Sequence, residues 1–224
     1  MRACVYLLNN KPPYVDMAVN SIYMLRTYNQ SIKVICLCLE DVALPKYLNV
    51  EKIPIKNLGN FFFTNKQHLG SLDYEDILYI DSDTFIFGNI EKLFDYEYDF
   101  VGCENTWAYF EGFNLFNPTN GGVLLYKNNA HKKVYYKFAE KLKSMEADYP
   151  ELDLWIKNKN EWIREEFLTS QIVCDLSLSK TFFEYEHCRL LKWEEDFDKM
   201  HESVIFHSFT NQWNYAFSKI SALH

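Results

Sequence analysis

The sequence predicts a single α/β domain with a mostly parallel central sheet flanked by helices. Three observations carry this. In the first half, short apolar runs of strand character alternate with stretches of helical periodicity, the pattern of βαβ units whose strands are covered on both faces. With 224 residues, 48% of them hydrophobic, the chain can build one sizeable core. No internal repeat, low-complexity segment or linker-like stretch divides it, so residues 1–224 read as one domain.

The elements follow in order. Residues 3–8 read as a strand, and 14–28 as a helix, with Val15, Ala18, Ile22 and Leu25 at helical spacing. Ile32–Leu39 is a buried strand, Pro45 interrupts a short helical segment, and Val50–Ile55 is a short strand. Residues 64–72 are helical and lead into the apolar run Ile77-Leu78-Tyr79-Ile80. Beyond Asn89 the pattern loosens. Phe100–Cys103 is a candidate strand, 106–118 a long aromatic loop, and Asn120-Gly121-Gly122 a turn feeding a strand that runs to Tyr126. Helices cover about 129–145 and 162–175, and a late strand, Ser203–Phe206, runs into His207.

Charge and composition narrow the function. A net charge of −8 argues against a nucleic-acid binder, which usually shows a basic face, but permits a polyanionic nucleotide if a metal mediates the contact. The aromatic share of 17% suits carbohydrate or nucleobase stacking as well as core packing. No stretch approaches the roughly 18–20 apolar residues of a membrane span. The short apolar run at the N-terminus is followed by Asn9-Asn10-Lys11-Pro12-Pro13 and no cleavage site, so it reads as the first strand, and a cytoplasmic enzyme is expected. Cys4, Cys36, Cys38, Cys103, Cys174 and Cys188 are scattered without a CxxC pair, and the expectation is reduced, mostly buried thiols.

Asp81-Ser82-Asp83 is the most informative triplet. Apolar runs flank it on both sides, and carboxylates are rarely placed in such surroundings without a cation to hold. A DxD triplet alone is weak, since about one is expected by chance in a chain this long. Asp196-Phe197-Asp198, set in the charged stretch Glu194–Lys199, serves as the control and reads as a solvated face. At the carboxyl edge of a sheet, two acids spaced by one residue suit a hard divalent cation with positions left open for phosphate oxygens.

Several segments then fall into a familiar order. Lys66-Gln67-His68-Leu69, then Tyr74 through Asp81-Ser82-Asp83-Thr84, then Asn89-Ile90, resemble the donor-binding core of glycosyltransferase family 8, the glycogenin-like enzymes. Asn120-Gly121-Gly122-Val123 resembles that family's N-(A/S)-G-V segment. Val204-Ile205-Phe206-His207 is similar to its late strand ending in a metal-binding histidine, and Trp213-Asn214-Tyr215 to its C-terminal K-P-W-x-Y segment. Leu8-Asn9-Asn10 to Tyr14 resembles the uridine-binding loop after the first strand. The resemblance spans about residues 3–215, with strong motifs only around 66–90, 120–126 and 204–215. It departs in two places. Glu165-Glu166-Phe167-Leu168-Thr169-Ser170 is the best register for the family's D-Q-x-x-L-N motif, and the stretch after His207 lacks its glycine and phosphate-binding lysine, for which Thr210, Asn211 or Gln212 would have to substitute.

The resemblance implies a GT-A nucleotide-diphospho-sugar transferase fold and a metal-dependent, retaining transfer of a hexose from a UDP-sugar to a carbohydrate or glycosylated acceptor. It implies Asp81, Asp83 and His207 as ligands of Mn²⁺ or Mg²⁺. Leu8, Asn10, Tyr14, Ser82, Asn105 and Gly121 become donor-binding candidates, and Lys66, Asn120, Glu165 and Glu166 candidates for work at the sugar or diphosphate. Each has a plainer reading: Lys66 and the two glutamates as solvated helix charges, Asn120-Gly121 as a turn, Tyr14 as packing, His207 as a core histidine. Trp107, Tyr109, Phe110 and Phe113 offer stacking faces for an acceptor sugar, or a loop that packs on itself. Two rival functions are a haloacid-dehalogenase-like phosphatase and a non-catalytic sugar-nucleotide binder. The first fits poorly, because Phe85 holds the fifth position of DxDx(T/V) and the acids do not follow the first strand.

Overall fold

The computed structural model describes residues 1–59, 62–105, 119–148, 150, 162–190, 194–208, 212–214 and 218. The first half builds as the periodicity predicts. Strand β1 is Arg2–Leu8, helix α1 Pro12–Tyr28, β2 Lys33–Cys38, β3 Glu51–Pro54 and β4 Asp76–Ile80. A short strand β5, Thr84–Ile86, follows the DxD turn. Then come β6 Phe100–Glu104, β7 Thr119–Tyr126, α2 Ala130–Asp148, α3 Trp162–Asp175, β8 Lys180–Phe182, β9 Cys188–Leu190 and β10 Ile205–His207.

Seven strands form the main sheet in the order β3-β2-β1-β4-β7-β6-β8. All its pairings are parallel except those of β7, which runs antiparallel between β4 and β6. Alternate residues feed two cores, as a pleated strand requires. Ala3, Val5, Leu7, Ile77, Tyr79, Leu124 and Tyr126 face the core that includes Phe138 of α2 and Phe167 of α3. Cys4, Tyr6, Leu8, Leu78, Ile80, Val123 and Leu125 face the one that includes Ile22 and Leu25 of α1. Helix α1 starts on prolines whose fixed φ suits the first turn, and Met17, Ala18, Ile22 and Leu25 form its buried stripe.

The smaller sheet, β5-β10-β9, is what brings the late strand to the DxD turn. β10 runs antiparallel to β5, with His207 opposite Thr84, and parallel to β9. Phe85, Phe206, Phe197, Met200 and Trp213 pack behind it, with Trp213 stacked on Phe85 at 5.7 Å between ring centres.

Six expectations are corrected. Pro45 precedes a single 3₁₀ turn, Lys46–Leu48, rather than interrupting a helix. Residues 62–71 are 3₁₀ and not α-helical. Asn120-Gly121-Gly122 is no turn but part of β7 itself. His207 lies within the late strand, which begins two residues later than the sequence suggests. Cys103 and Cys188 form a disulfide that ties β6 to β9, while Cys4, Cys36, Cys38 and Cys174 are free. The control triplet is no uniformly solvated face either: Asp196 is half-buried, Phe197 is core and only Asp198 is exposed. No helix among the described residues is long and apolar enough to cross a membrane.

Candidate metal and donor site

The DxD turn is held by its backbone carbonyls and one backbone N–H. Asp81 N donates to Gly122 O at 2.7 Å, carrying the β4–β7 ladder one residue past the strand. Thr84 Oγ1 donates to the Asp81 carbonyl at 2.9 Å, and both N and Oγ of Ser208 donate to the Asp83 carbonyl, at 3.1 and 2.9 Å. Behind Thr84 runs a chain of buried hydroxyls: Thr84 Oγ1 lies 2.9 Å from Ser21 Oγ of α1, which lies 3.0 Å from Tyr6 Oη of β1.

Asp81, Asp83 and His207 converge, with one ligand atom of each within 4.8 Å of the others. His207 Nε2 is 3.1 Å from Asp83 Oδ1 and 3.9 Å from Asp81 Oδ2. Asp83 and His207 are buried, whereas the Asp81 side chain is 32% exposed and opens the cluster to one side. Burial alone would lower the imidazole's pKa, but Asp83 and Asp81 outweigh it and the pKa rises. Gly122 faces the ring closely enough that a β-carbon there would be driven into the imidazole. Two carboxylates and one imidazole, packed this tightly with one open side, fit a divalent cation. Tyr79 donates its hydroxyl to Asp81 Oδ1, and burial followed by Asp81 pushes that phenol's pKa well up, so it stays a donor.

Beside this cluster sits a second one, drawn from four elements. Lys66 is buried, its Nζ 2.9 Å from Glu165 Oε2 and 2.7 Å from Gly121 O, above the Tyr79 ring at 4.6 Å. Burial opposes its charge, but Glu165 and then Asp81 more than restore it, so the ammonium's pKa is raised. Glu166 accepts from Asn105 Nδ2 at 2.7 Å, Asn120 Nδ2 at 3.0 Å and Gly121 N at 3.2 Å. Its carboxyl is pushed up to about 8, by burial first and Glu165 second, against the pull of those donors. Glu165 is also raised, burial outweighing Lys66. Asn120 Oδ1 reaches back to the first cluster, 2.9 Å from His207 Nδ1.

The structure thus brings together Lys66, Asp81, Asp83, Asn105, Asn120, Gly121, Glu165, Glu166 and His207. The plain reading of Lys66, Glu165 and Glu166 as solvated charges is excluded by their burial. Ser82 is half-buried at the turn. Leu8 ends β1 in the core, Asn10 is exposed just beyond it, and Tyr14 is half-buried against the cluster of Phe85 and Trp213. Trp107, Tyr109, Phe110, Phe113, Thr210, Asn211 and Tyr215 lie outside the described residues; Gln212 is exposed. The sequence reading missed Tyr79, Ser208 and Ser21. Ser21 did carry a signal, a hydroxyl set in the apolar stripe of α1.

No family model matches the sequence, and no curated protein does. Solved structures do match the fold. The apo form of the glycosyltransferase GlyE from Streptococcus pneumoniae TIGR4 has a TM-score of 0.62 at 18% identity, over 97% of this chain and 59% of that one. This chain therefore spans about three-fifths of GlyE's length. The galactosyltransferase LgtC, in complex with donor and acceptor sugar analogues, has a TM-score of 0.56 at 11% identity over 97% and 95% of the two chains. Mouse xyloside xylosyltransferase 1, apo form, has a TM-score of 0.58 at 11% identity over 94% and 99%. At such identities the likeness establishes the fold, which is that of the GT-A glycosyltransferases.

Proposed function

We propose that the chain is a metal-dependent retaining glycosyltransferase of the family 8 type, moving a hexose from a UDP-sugar to an acceptor hydroxyl on a carbohydrate or glycosylated molecule. One observation carries this: in a GT-A fold, the two acids of the DxD turn and His207 meet at the carboxyl end of β4. Asp81, Asp83 and His207 would hold Mn²⁺ or Mg²⁺. When bound, the cation neutralises the charge that builds on the leaving diphosphate. Lys66 adds a fixed positive charge at the boundary of the two clusters, and its own partner Glu165 keeps it protonated. The fold can offer the donor sugar the Asn105, Asn120 and Glu166 network as a preorganised polar wall. Leu8, Asn10 and Tyr14 are the residues for the uridine.

Retention is favoured because the acids near the sugar are already engaged, Glu165 by Lys66 and Glu166 by three N–H donors. In the front-face route, the bond from the anomeric carbon to the diphosphate breaks as the acceptor oxygen bonds to the same face, and the acceptor's proton passes to the departing diphosphate oxygen.

A panel of UDP- and GDP-hexoses with Mn²⁺, scored by hydrolysis and thermal shift, tests the reading. A UDP-hexose is expected to turn over with the cation, and Asp83→Ala to lose both turnover and Mn²⁺-dependent UDP binding while melting near the wild type, since a metal ligand matters far more to ligand binding than to a domain with so large a core. An Asp83→Ala protein that turns over every accepted donor at the wild-type rate would sink it.

A further inference from the structure

His207 is anchored through both ring nitrogens, and the two anchors differ in kind. Nε2 faces the carboxylates of Asp83 and Asp81, and Nδ1 faces the side-chain oxygen of Asn120. The orientation of that amide is set by two backbone donors, Gly122 N on its own oxygen and Gly121 N on the Glu166 oxygen beside its nitrogen. Gly122 N is a backbone donor, 2.9 Å from Asn120 Oδ1, so the atom there must be the oxygen. Glu166 Oε1, 3.0 Å from the other end of the amide, accepts the Nδ2 hydrogen, and Asn105 holds Glu166 from its far oxygen at 2.7 Å. Asn120 therefore presents an acceptor to His207, and only a protonated Nδ1 can satisfy it. His207, Asn120, Glu166 and Asn105 are all buried, so water does not compete for the bonds between them.

We infer that Asn120 is a positioning residue of the metal centre: its amide, clamped by Glu166 and by the backbone of Gly122, keeps the proton on His207 Nδ1 and so assigns Nε2 to the cation. The inference rests on the metal-site reading above. It gives Glu166 a role that runs from α3 through β7 to β10, in place of direct contact with a reacting atom. It also accounts for the glycine at 122, whose bare α-carbon lets the ring lie against the strand that carries its hydrogen-bond partner. A histidine ligand is generally oriented and made a better donor by the hydrogen bond from its other nitrogen, and losing such a partner typically weakens metal affinity about 10–100-fold.

The test is Mn²⁺ binding without donor, measured by calorimetry and by electron paramagnetic resonance, on the whole chain. Asn120→Ala should bind Mn²⁺ about 10–100-fold more weakly. Asn120→Asp keeps an acceptor for Nδ1 and for Gly122 N, and a proton shared between the new carboxyl group and Glu166 replaces the Nδ2 hydrogen, so it should recover most of the affinity. A purely structural role for Asn120 would not show that rescue. In the ¹⁵N-histidine spectrum of the protein loaded with diamagnetic Cd²⁺, assigned against His207→Gln, the wild type should show a slowly exchanging Nδ1–H and cadmium coupling to Nε2. Asn120→Ala should lose the protected proton. Wild-type Mn²⁺ affinity in Asn120→Ala, or no rescue by Asn120→Asp when circular dichroism shows it folded, overturns the inference. A wild-type protein that binds neither Mn²⁺ nor Cd²⁺ overturns the metal-site reading itself, and the inference with it.

Discussion

Lys66 and Glu165 are each about 5% exposed at the side chain and meet at 2.9 Å, which ties stability to the site. Removing one member of a buried pair strands the other charge, at a cost of about 3–5 kcal/mol, whereas replacing both with apolar groups is often near neutral. Lys66→Ala should therefore lower the unfolding free energy in urea by that order and slow transfer. Lys66→Met/Glu165→Leu should regain most of the stability but not the activity. A loss under about 1 kcal/mol, the scale of an exposed pair, would mean that the charges are solvated. Glu166 leads to a pH prediction. Its folded carboxyl stands at about 8, against an ordinary 4.5, so between those values the native state holds a proton that the unfolded chain has released. The stability linked to it is complete below the unfolded value and is lost as pH rises through the folded one. Unfolding free energies of the wild type should fall between pH 5 and 9 relative to Glu166→Gln. A flat difference would show that its three N–H donors keep Glu166 ionised throughout.

Strand β7 and the small sheet do the placing at the scale of elements. Where β6 pairs with β7, Gly102 faces Leu124 but Cys103 already faces Asn120, so residues 121–123 bulge out of the ladder. That bulge, with no side chain at 121 or 122, is what lets the strand lie against Glu165 on one side and His207 on the other. The disulfide joins the two sheets at this end, closing a separation of 85 residues between the strand leading to Asn105 and the strand paired with the one bearing His207. Protein denatured without reductant should show four free thiols by titration, and six after reduction. Reduction should lower stability by about 2–4 kcal/mol. Six thiols without reductant would remove the bond from the account. The main strands and helices were legible because their periodicity is local. Asn120-Gly121-Gly122 read as a turn because glycine pairs usually mark one, and nothing in the neighbouring residues announces that a glutamate and a histidine from distant segments need the room.

For the whole molecule the expected outcome is stereochemical. The product should keep the anomeric configuration of its donor, α from a UDP-α-hexose. Inversion needs a general base within about one hydrogen bond of the acceptor hydroxyl, on the face opposite the leaving group. Asp81, Asp83 and His207 form the proposed metal site, Glu165 is paired with Lys66, and Glu166 accepts three N–H bonds. Proton NMR of the first product decides: a large trans-diaxial coupling at the new anomeric centre, as in a β-gluco- or β-galacto-linkage, would refute retention.

By itself the sequence pointed to the architecture and to the candidate cation ligands. Alternating apolar runs dictate which strands are covered on both faces, and a DxD between two such runs is conspicuous because ionised carboxylates there need a partner. His207 could be singled out only by the family-like order of its segment, because an apolar run by itself favours a core histidine. What only the tertiary structure decided is how charges far apart in the chain share one interior. Lys66 and Glu165 are 99 residues apart and Asn120 and His207 are 87, and no local pattern separates a buried ion pair from two solvated helix charges. Cys103 and Cys188 are ordinary buried thiols until the small sheet folds back on the large one. Hydrogen bonding and desolvation act over ångströms in space, whereas periodicity acts along the chain, so the partners of a buried polar group become known only when the strands are in register.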